Sequence, residues 1–354
     1  MSDESLTGPA LQSHGGLDYP LGKWTPPPGE LHEIAPGVRW LRMSLPFVLD
    51  HINLWLLDDH DAQGPGTTIV DTGICAPACT AIWEGLLPGL RVTRIIGTHF
   101  HPDHVGLAGW LSRRTGASLW MTRGEYLMAR MVQLDARDTP PPEAVEFAVE
   151  AGWSTEAIDR LQRRGWRHYA SAASPLPARY HRMTDGQKIM IGDRCWQVVV
   201  GSGHSPEHAC LVSDDGSLMI SGDQVLPRIT PNVSVPMMEP LGDPLGDWLA
   251  SIERLRRLPD TPLVLPSHGL PFHGLHARLD QLAQGHHQQL EALHDFCATP
   301  RQVIDCFPVL FRRPIDETLI GMATGEALAH LRRLEVAGRM RRERQDGVLR
   351  FTSI

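Results

Sequence analysis

The sequence predicts an α/β layered fold. Short apolar runs with β-branched residues at their centres begin at Val38 and are separated by turns, a pattern typical of a sheet. The run CAPACTAIWEGLLPGL, residues 75–90, is a predicted helix, and it lies between two predicted strands, TTIVDTG and RVTRIIGTH. This alternation of strand, helix and strand indicates helices packed on a sheet.

Composition limits the classes of function that the chain can have. The 354 residues, of which 42% are hydrophobic and 21% charged, suit a globular chain of two or three domains. The net charge of −8 argues against a general binder of nucleic acid or anionic membranes, because both would repel the chain. We find no secretory signal and no apolar run of about 18 residues. The six scattered cysteines predict free thiols in a cytoplasmic protein without a membrane partner.

The predicted organisation has three parts. Residues 1–28 are rich in Gly, Pro and Ser and are interpreted as a loosely ordered N-terminal arm. Residues 29–274 form the predicted core, which a helical insertion at about residues 123–176 interrupts. Residues 275–354 are predicted to form a small, mainly helical domain that ends in a hairpin.

The motif THFHPDHVG, residues 98–106, places four potential metal ligands within six positions at a strand end. Imidazole and carboxylate are the ligands of a borderline cation such as zinc. Alternate positions on an extended strand share a face, so His99 and His101 can reach one ion. The chain then turns at Pro102, which allows Asp103 and His104 to reach a second ion.

Three more polar residues each follow a predicted strand. His204 follows CWQVVVGSG, Asp223 follows SLMISG, and His268 follows PLVLPS. Each residue alone is typical of a cap or turn. Together with the four residues of the motif they supply seven ligands, which suits two ions that share a bridging carboxylate.

The order HxHxDH, GSGH, SGD and PSHG resembles the metallo-beta-lactamase superfamily over about residues 38–274. The resemblance implies a four-layer αββα sandwich of the mixed α/β (α+β) class, with a dinuclear site at one edge. It implies that the first metal is held by His99, His101 and His204. It implies that the second is held by Asp103, His104 and His268, and that Asp223 bridges the two. It also implies a supporting acid, Asp71 in IVDTG. An Asp at the bridging position resembles the glyoxalase II, lactonase and RNase Z branches more than the zinc beta-lactamases.

The implied cofactors are two divalent ions, zinc first, with iron or manganese as alternatives. A water that bridges two such ions has a lowered pKa, so hydroxide is available as the nucleophile. The outer oxygen of Asp103 is a candidate for proton transfer. His208 in GHSPEH is a candidate for a role in supporting the ligands, for a substrate-side role or for a plain structural role. Asn232 lies on a predicted pocket rim, while Met237 and Met238 line an acyl site or simply pack.

The helical insertion follows the metal motif closely, so it covers the pocket, thickens the scaffold or contacts a second copy of the chain. Tyr126, Arg130 and Gln133 lie at helical spacing and face substrate or solvent. Leu127, Met128 and Met131 are predicted core residues.

The C-terminal region combines a predicted amphipathic helix, TGEALAHLRRLEVAGRM, with a predicted hairpin around Asp346–Gly347. Helix and hairpin together resemble a winged helix, a module that some members of the superfamily carry. The segment from His330 to Arg350 contains seven arginines and only three acids, a local excess of positive charge that is typical of a nucleic-acid-binding surface. An accessory or homodimer role is favoured, because the rest of the chain is acidic.

The leading functional hypothesis is a dinuclear hydrolase of a small ester, thioester or lactone, similar to hydroxyacylglutathione hydrolases or acyl-thioester hydrolases. The alternative is a metal-dependent endoribonuclease or phosphodiesterase that holds RNA with its C-terminal region. A flavodiiron-like redox site is a third hypothesis, disfavoured because no flavin module follows and a histidine occupies position 104.

Overall fold

The structure, a computed structural model, describes residues 12–354. Within that range the strands are β1 (Gln12–His14), β2 (Leu17–Tyr19), β3 (Leu31–Ala35), β4 (Val38–Ser44), β5 (His51–Asp61), β6 (Gly64–Val70), β7 (Val92–Ile96), β8 (Ser118–Thr122), β9 (His181–Met183), β10 (Lys188–Ile191), β11 (Arg194–Gly201), β12 (His208–Ser213), β13 (Leu218–Gly222), β14 (Leu263–Pro266), β15 (Met340–Gln345) and β16 (Val348–Ser353).

The α-helices of the same range are α1 (Pro77–Leu86), α2 (Pro102–Val105), α3 (Ala108–Thr115), α4 (Arg123–Leu134), α5 (Pro142–Glu150), α6 (Thr155–Arg163), α7 (His168–Ala172), α8 (Pro244–Leu255), α9 (Leu275–Phe296), α10 (Phe307–Leu310) and α11 (Ile320–Val336). Short 3₁₀ turns at Leu87–Gly89 and Ile304–Cys306 complete the helical segments. No helix among residues 12–354 is long and apolar enough to cross a membrane.

Two sheets form the middle of the molecule. One has seven strands in the order β3-β4-β5-β6-β7-β8-β9, and the other has five in the order β10-β11-β12-β13-β14. Their facing sides share one apolar core, to which Trp40 and Trp55 contribute from the first sheet and Val198 and Leu265 from the second. The larger sheet is antiparallel from β3 to β6 and parallel from β6 to β9.

Helices cover the outer face of each sheet. Trp83 of α1 and Leu111 of α3 pack on the outer face of the larger sheet. Trp248 of α8, Leu279 of α9 and Leu331 of α11 pack on the smaller one. The prediction of a four-layer αββα sandwich is therefore confirmed. The first part of β5, residues 52–57, is buried on both faces, which explains why five of its six residues are apolar.

The predicted insertion consists of α4 to α7, between the parallel strands β8 and β9. Its three polar candidates all make hydrogen bonds within the protein. The side chains of Tyr126, Arg130 and Gln133 donate hydrogen bonds to the carbonyl oxygens of Pro177, Leu176 and Ala173 and so fix the segment that leaves the insertion. The prediction that Leu127, Met128 and Met131 are core residues is wrong, because Leu127 and Met131 are 56% and 44% exposed and Met128 is only partly buried.

The N-terminal segment also differs from its prediction. Leu17 and Tyr19 of β2 are buried in the core cluster that contains Phe272 and Leu275. The backbone of Asp18 exchanges two hydrogen bonds with that of His273. This part of the predicted loose arm is therefore packed against the start of α9; the prediction for residues 1–11 lies outside the described residues.

The C-terminal region contains the predicted hairpin, β15 and β16, with its turn at Asp346 and Gly347. Both turn residues have positive φ, 52° and 83°, which is the backbone of a type I′ turn and explains the Asp-Gly pair. Leu328, Leu331 and Leu334 form the buried stripe of α11. The arrangement places α11 against both α8 and α9.

Asn53 on β5 joins the two sheets near the end of β14, which His268 follows. Its Oδ1 accepts from Trp40 Nε1 at 2.9 Å, and its Nδ2 donates to Pro266 O at 3.0 Å and to Gly269 O at 2.9 Å. The side chain is fully buried. Asn53 thus fixes the loop on both sides of His268.

We expect Asn53→Ala to lower the free energy of unfolding by about 2–4 kcal/mol, because it removes the partner of a buried indole N–H, of a buried carbonyl and of a partly buried one. Urea unfolding of the metal-free protein measures this loss. Gln63→Ala, in an exposed turn, is the matched control and should stay within about 0.5 kcal/mol of the parent. Equal stability of the two variants would show that the Asn53 network contributes nothing.

Candidate metal centre

The structure brings all seven predicted ligands together at one edge of the sandwich, where several strands end. The loop after β7 carries His99 and His101, and the short helix α2 carries Asp103 and His104. The loops after β11, β13 and β14 carry His204, Asp223 and His268, in that order. Residues that are far apart in the sequence therefore meet because the strands that precede them end at the same edge.

Three histidines form a first ligand set. His99 Nε2 lies 2.8 Å from His101 Nδ1 and 3.3 Å from His204 Nε2. Burial, and after it the neighbouring His204, lower the pKa of His101 to about 3. Three neutral imidazoles that converge in this way present their lone pairs to one point, as a metal ion requires.

A second set lies beside the first and combines Asp103, His104 and His268. Asp103 Oδ2 is 3.5 Å from His104 Nε2 and 3.4 Å from His268 Nε2. The candidate ligand atoms of this set all lie within 4.8 Å of one another.

Asp223 stands between the two sets and directs one oxygen to each. Its Oδ1 is 3.5 Å from His104 Nε2 and 3.4 Å from His268 Nε2. Its Oδ2 is 3.5 Å from His204 Nε2. This is the placement expected of a carboxylate that bridges two cations.

Several of the candidate ligand atoms have no hydrogen-bond partner within the protein, which fits a metal site. His104 Nε2, His268 Nε2 and Asp223 Oδ1 are buried and have no hydrogen-bond partner. Buried polar atoms without a partner are costly, so three of them at one point indicate a ligand. Nitrogen and carboxylate donors in this ratio suit zinc, iron or manganese.

Backbone and carboxylate oxygens fix the orientation of three of these rings. Each of three Nδ1 atoms lies 2.7 Å from an oxygen acceptor, and the pairs are His104 with Asp71 Oδ2, His204 with Asn232 O, and His268 with His51 O. A proton held on Nδ1 leaves the Nε2 lone pair free toward the centre of the site.

The two carboxylates make the centre attractive to positive charge. Burial alone would lower the pKa of His268, but Asp223 and Asp103 raise it to about 10. A buried pair of acids that draws protons onto neighbouring imidazoles also stabilises divalent cations, which neutralise the same charge.

Asp71 has an unusual backbone, with a φ of +61°. Its Oδ1 accepts from Thr98 N at 2.8 Å, and its Oδ2 accepts from Thr98 Oγ1 at 2.8 Å and pairs with His104 Nδ1. Residues held in this left-handed region concentrate at functional sites. Asp71 thus lies behind the candidate ligand His104 and contacts its ring.

We expect Asp71→Asn to weaken metal binding by about 10–100-fold, because the amide NH₂ must face either the Thr98 donors or the His104 Nδ1–H. Asn tolerates the left-handed backbone, so the fold is retained. Chelator competition measures the affinity. Asp346→Asn is the matched control, since Asp346 is exposed and has a φ of +52°. Equal affinity in both variants would exclude a role for the Asp71 carboxylate.

Glu125 at the start of α4 is a functional residue that the sequence did not reveal. It is fully buried, and its carboxylate accepts from Phe100 N at 2.8 Å, Ser205 Oγ at 2.7 Å and Glu207 N at 2.7 Å. Glu207 in turn accepts from Gly124 N at 2.8 Å. The two acids therefore tie together the loop that carries His99 and His101 and the loop that carries His204.

The structure does not place His208 on the substrate side, so its prediction as a catalytic candidate is corrected. The ring is fully buried, and its Nε2 accepts from Asp223 N at 3.0 Å. Gly222 has a φ of +52°, and a Cβ there would lie 2.4 Å from the ring. His208 therefore supports the backbone of Asp223 and cannot reach a bound substrate.

Comparison with known proteins agrees with this geometry. The metallo-beta-lactamase superfamily pattern matches residues 49–268, a span that contains all seven ligand positions. The chain belongs to the metallo-beta-lactamase superfamily. A second pattern, described as the metallo-beta-lactamase-like C-terminal domain, matches residues 290–354. The predicted family is therefore confirmed. The fold implies the binding of divalent metal ions, and the cluster of His and Asp side chains is the candidate site for them.

Two solved structures are similar to this chain over most of its length. A beta-lactamase domain protein from Burkholderia ambifaria shares 42% identity, with a TM-score of 0.88 over 96% of this chain and 98% of that one. A metallo-beta-lactamase family protein from Thermus thermophilus shares 25% identity, with a TM-score of 0.75 over 91% of this chain and 100% of that one.

Among curated enzymes, hydroxyacylglutathione hydrolase of Pseudomonas syringae pv. syringae is 34% identical over 98 residues. The matched stretch covers 28% of this chain and only 36% of that enzyme. The chain therefore matches little more than a third of the length of this curated enzyme.

Proposed function

We propose that the protein is a dinuclear metal-dependent hydrolase that cleaves a small ester, thioester or lactone. The observation that carries the proposal is Asp223, which directs one carboxylate oxygen to each of two ligand sets. His99, His101 and His204 would hold one ion, and Asp103, His104 and His268 would hold the other. Zinc is the first candidate, with iron or manganese as alternatives.

Two divalent cations at such a site supply a water molecule of lowered pKa and polarise the attacked carbonyl. The protein's own residues then have two tasks, which are to hold the ligands and to move a proton. The outer oxygen of Asp103 suits the second task, because its side chain is 18% exposed whereas that of Asp223 is 10% exposed. His208 takes no part in proton transfer, since its Nε2 is occupied by a backbone N–H.

The nucleic-acid alternative receives little support from the C-terminal arginines. Six of the seven arginines between His330 and Arg350 form ion pairs with nearby acids, and these are Arg332, Arg333, Arg339, Arg341, Arg342 and Arg344. Paired guanidinium groups offer less free charge to phosphates. We therefore favour acyl substrates over RNA.

A panel of substrates on metal-reconstituted protein tests the proposal. We expect metal-dependent turnover of thioesters, esters or lactones, no turnover by chelator-treated protein, and negligible turnover of a phosphodiester. Cleavage of structured RNA or of the phosphodiester, together with inactivity on every acyl substrate, would overturn the proposal in favour of a nuclease.

A further inference from the structure

A cavity of about 580 Å³ lies between the helical insertion and the loop after Asp223. The side chains that matter for its chemistry are Met131, Leu134, Trp166, Tyr169, Met237 and Met238. Its volume falls in the range of pockets that bind small organic molecules.

Both walls of this cavity are attached to the candidate metal centre. The Tyr169 hydroxyl donates to Phe100 O at 2.6 Å, and its ring stacks on that of Phe100, which lies between His99 and His101. The helix that carries Tyr169, α7, packs against α2, which contributes Asp103 and His104. On the opposite wall, Met237 and Met238 belong to the segment that begins at Asn232, the partner of His204.

The lining is apolar and carries no free cation. None of the residues that line the cavity, all within the described part of the chain, is a lysine or arginine. Its one acid, Asp135, is paired with Arg137 and accepts from Trp166 Nε1. Burial lowers the pKa of His168, so that ring is neutral near pH 7. An anionic group would therefore find no unpaired cationic side chain in the lining of this cavity.

Several of its apolar side chains are exposed to solvent. Leu134 is 73% exposed, Met238 47% and Met131 44%. An apolar ligand that covers these side chains gains the free energy of removing them from water. Flexible methionines also adapt to chains of different shape.

We propose that this cavity is the acyl subsite and that it selects an uncharged, apolar acyl chain; this proposal rests on the hydrolase function proposed above. In the reaction, the oxygen of water forms a bond to the acyl carbon, the carbon–sulfur or carbon–oxygen bond to the leaving group breaks, and a proton passes to that group. The acyl chain lies between Tyr169 on one wall and Met237 and Met238 on the other, while its carbonyl is at the metal centre.

A series of S-acyl-N-acetylcysteamine thioesters tests the subsite, since only the acyl group varies. We expect kcat/KM to rise at least about ten-fold from acetyl to octanoyl. The succinyl thioester, which has the four carbons of butyryl with a carboxylate at the far end, should be at least about ten-fold poorer than butyryl. In Met131→Lys and Met238→Lys the octanoyl-to-acetyl ratio should fall about ten-fold. Met190→Lys, at an exposed methionine on β10, is the matched control and should keep the parental ratio.

The outcomes separate the subsite from the function. Equal kcat/KM for all chain lengths would overturn the subsite and leave the hydrolase proposal standing. If no thioester is cleaved, calorimetric binding of octanamide decides the subsite independently. Binding that is about ten-fold weaker in Met131→Lys than in Met190→Lys supports it, and equal binding in both variants overturns it.

A different observation links the C-terminal domain to the metal centre. Glu326 of α11 accepts from Asn232 Nδ2 at 2.9 Å, and the carbonyl of Asn232 accepts from His204 Nδ1 at 2.7 Å. Helix α11 packs closely against the segment that follows Asn232, since a Cβ on Gly325 would lie only 2.8 Å from the side chain of Ser234. We infer that Glu326 is a positioning residue that orients His204 through Asn232.

Zinc affinity, measured by chelator competition, tests this inference. Glu326→Ala should weaken binding by about ten-fold or more, whereas Glu326→Gln, which keeps an acceptor for Asn232, should restore most of the affinity. Glu343→Ala, at an exposed acid in the C-terminal hairpin, is the control. Parental zinc affinity in Glu326→Ala would overturn the inference even if that variant unfolds at a lower temperature.

Discussion

Asp223→Ala is expected to reduce kcat/KM by about 10³-fold or more and to leave the protein folded. The carboxylate is the only side chain that directs an oxygen to both ligand sets among the seven candidates. Its loss removes the charge that holds two cations side by side, and with them the activated water and the polarised carbonyl. Steady-state kinetics and metal analysis of the same preparation measure both consequences.

Asp214→Ala is the matched control for this prediction. Asp214 is an exposed acid in the turn between β12 and β13, the strand that leads to Asp223. We expect parental activity and metal content from it. Full activity of Asp223→Ala would contradict the dinuclear mechanism, and parental metal content with lost activity would place the role of Asp223 in chemistry alone.

Glu125→Ala is expected to lower the free energy of unfolding by about 3–5 kcal/mol, an exceptionally large loss for one substitution. It leaves the buried donors Phe100 N, Ser205 Oγ and Glu207 N without an acceptor. Because these donors lie in the two loops that carry His99, His101 and His204, the affinity of the first metal should fall as well. Urea unfolding and zinc competition measure the two effects.

Two further variants sharpen the Glu125 prediction. Glu84→Ala, at an exposed acid on α1, should change the unfolding free energy by no more than about 0.5 kcal/mol. Glu125→Gln keeps the volume but offers one acceptor oxygen instead of two, so its loss should be intermediate. A Glu125→Ala variant as stable as Glu84→Ala would show that the buried carboxylate does not join the two loops.

The candidate ligands could be predicted because the chain concentrates four of them in six residues. Once the His99–His104 motif had suggested a family, the residues that follow later strands, such as His204 and His268, had an expected place. The layered fold was predictable for a similar reason, since strands such as β5 and hairpins such as β10–β11 have strong local patterns.

The supporting residues could not be predicted, because their contacts join distant parts of the chain. Glu125 meets Ser205 across 80 residues, and Asn232 meets Glu326 across 94. A single Glu on an amphipathic helix has the pattern of a solvent-facing residue. Asn53 is equally inconspicuous, since its partners Pro266 and Gly269 lie 213 and 216 positions away.

In two segments the solvent exposure of the side chains could not be predicted from the sequence. Helical spacing identifies the apolar face of α4 but does not say whether another element covers it, and Leu127 and Met131 prove to be exposed. Conversely, the Gly- and Pro-rich composition around β2 predicts a loose arm, whereas Leu17 and Tyr19 are buried against the start of α9. Both errors depend on tertiary packing that local pattern does not encode.

The most direct test of the central claim is an anomalous-diffraction measurement on crystals of the zinc-reconstituted protein. We predict two anomalous peaks per chain, one among His99, His101 and His204 and the other among Asp103, His104 and His268, with Asp223 between them. A single peak, or peaks away from these side chains, would contradict a dinuclear centre built from these seven residues.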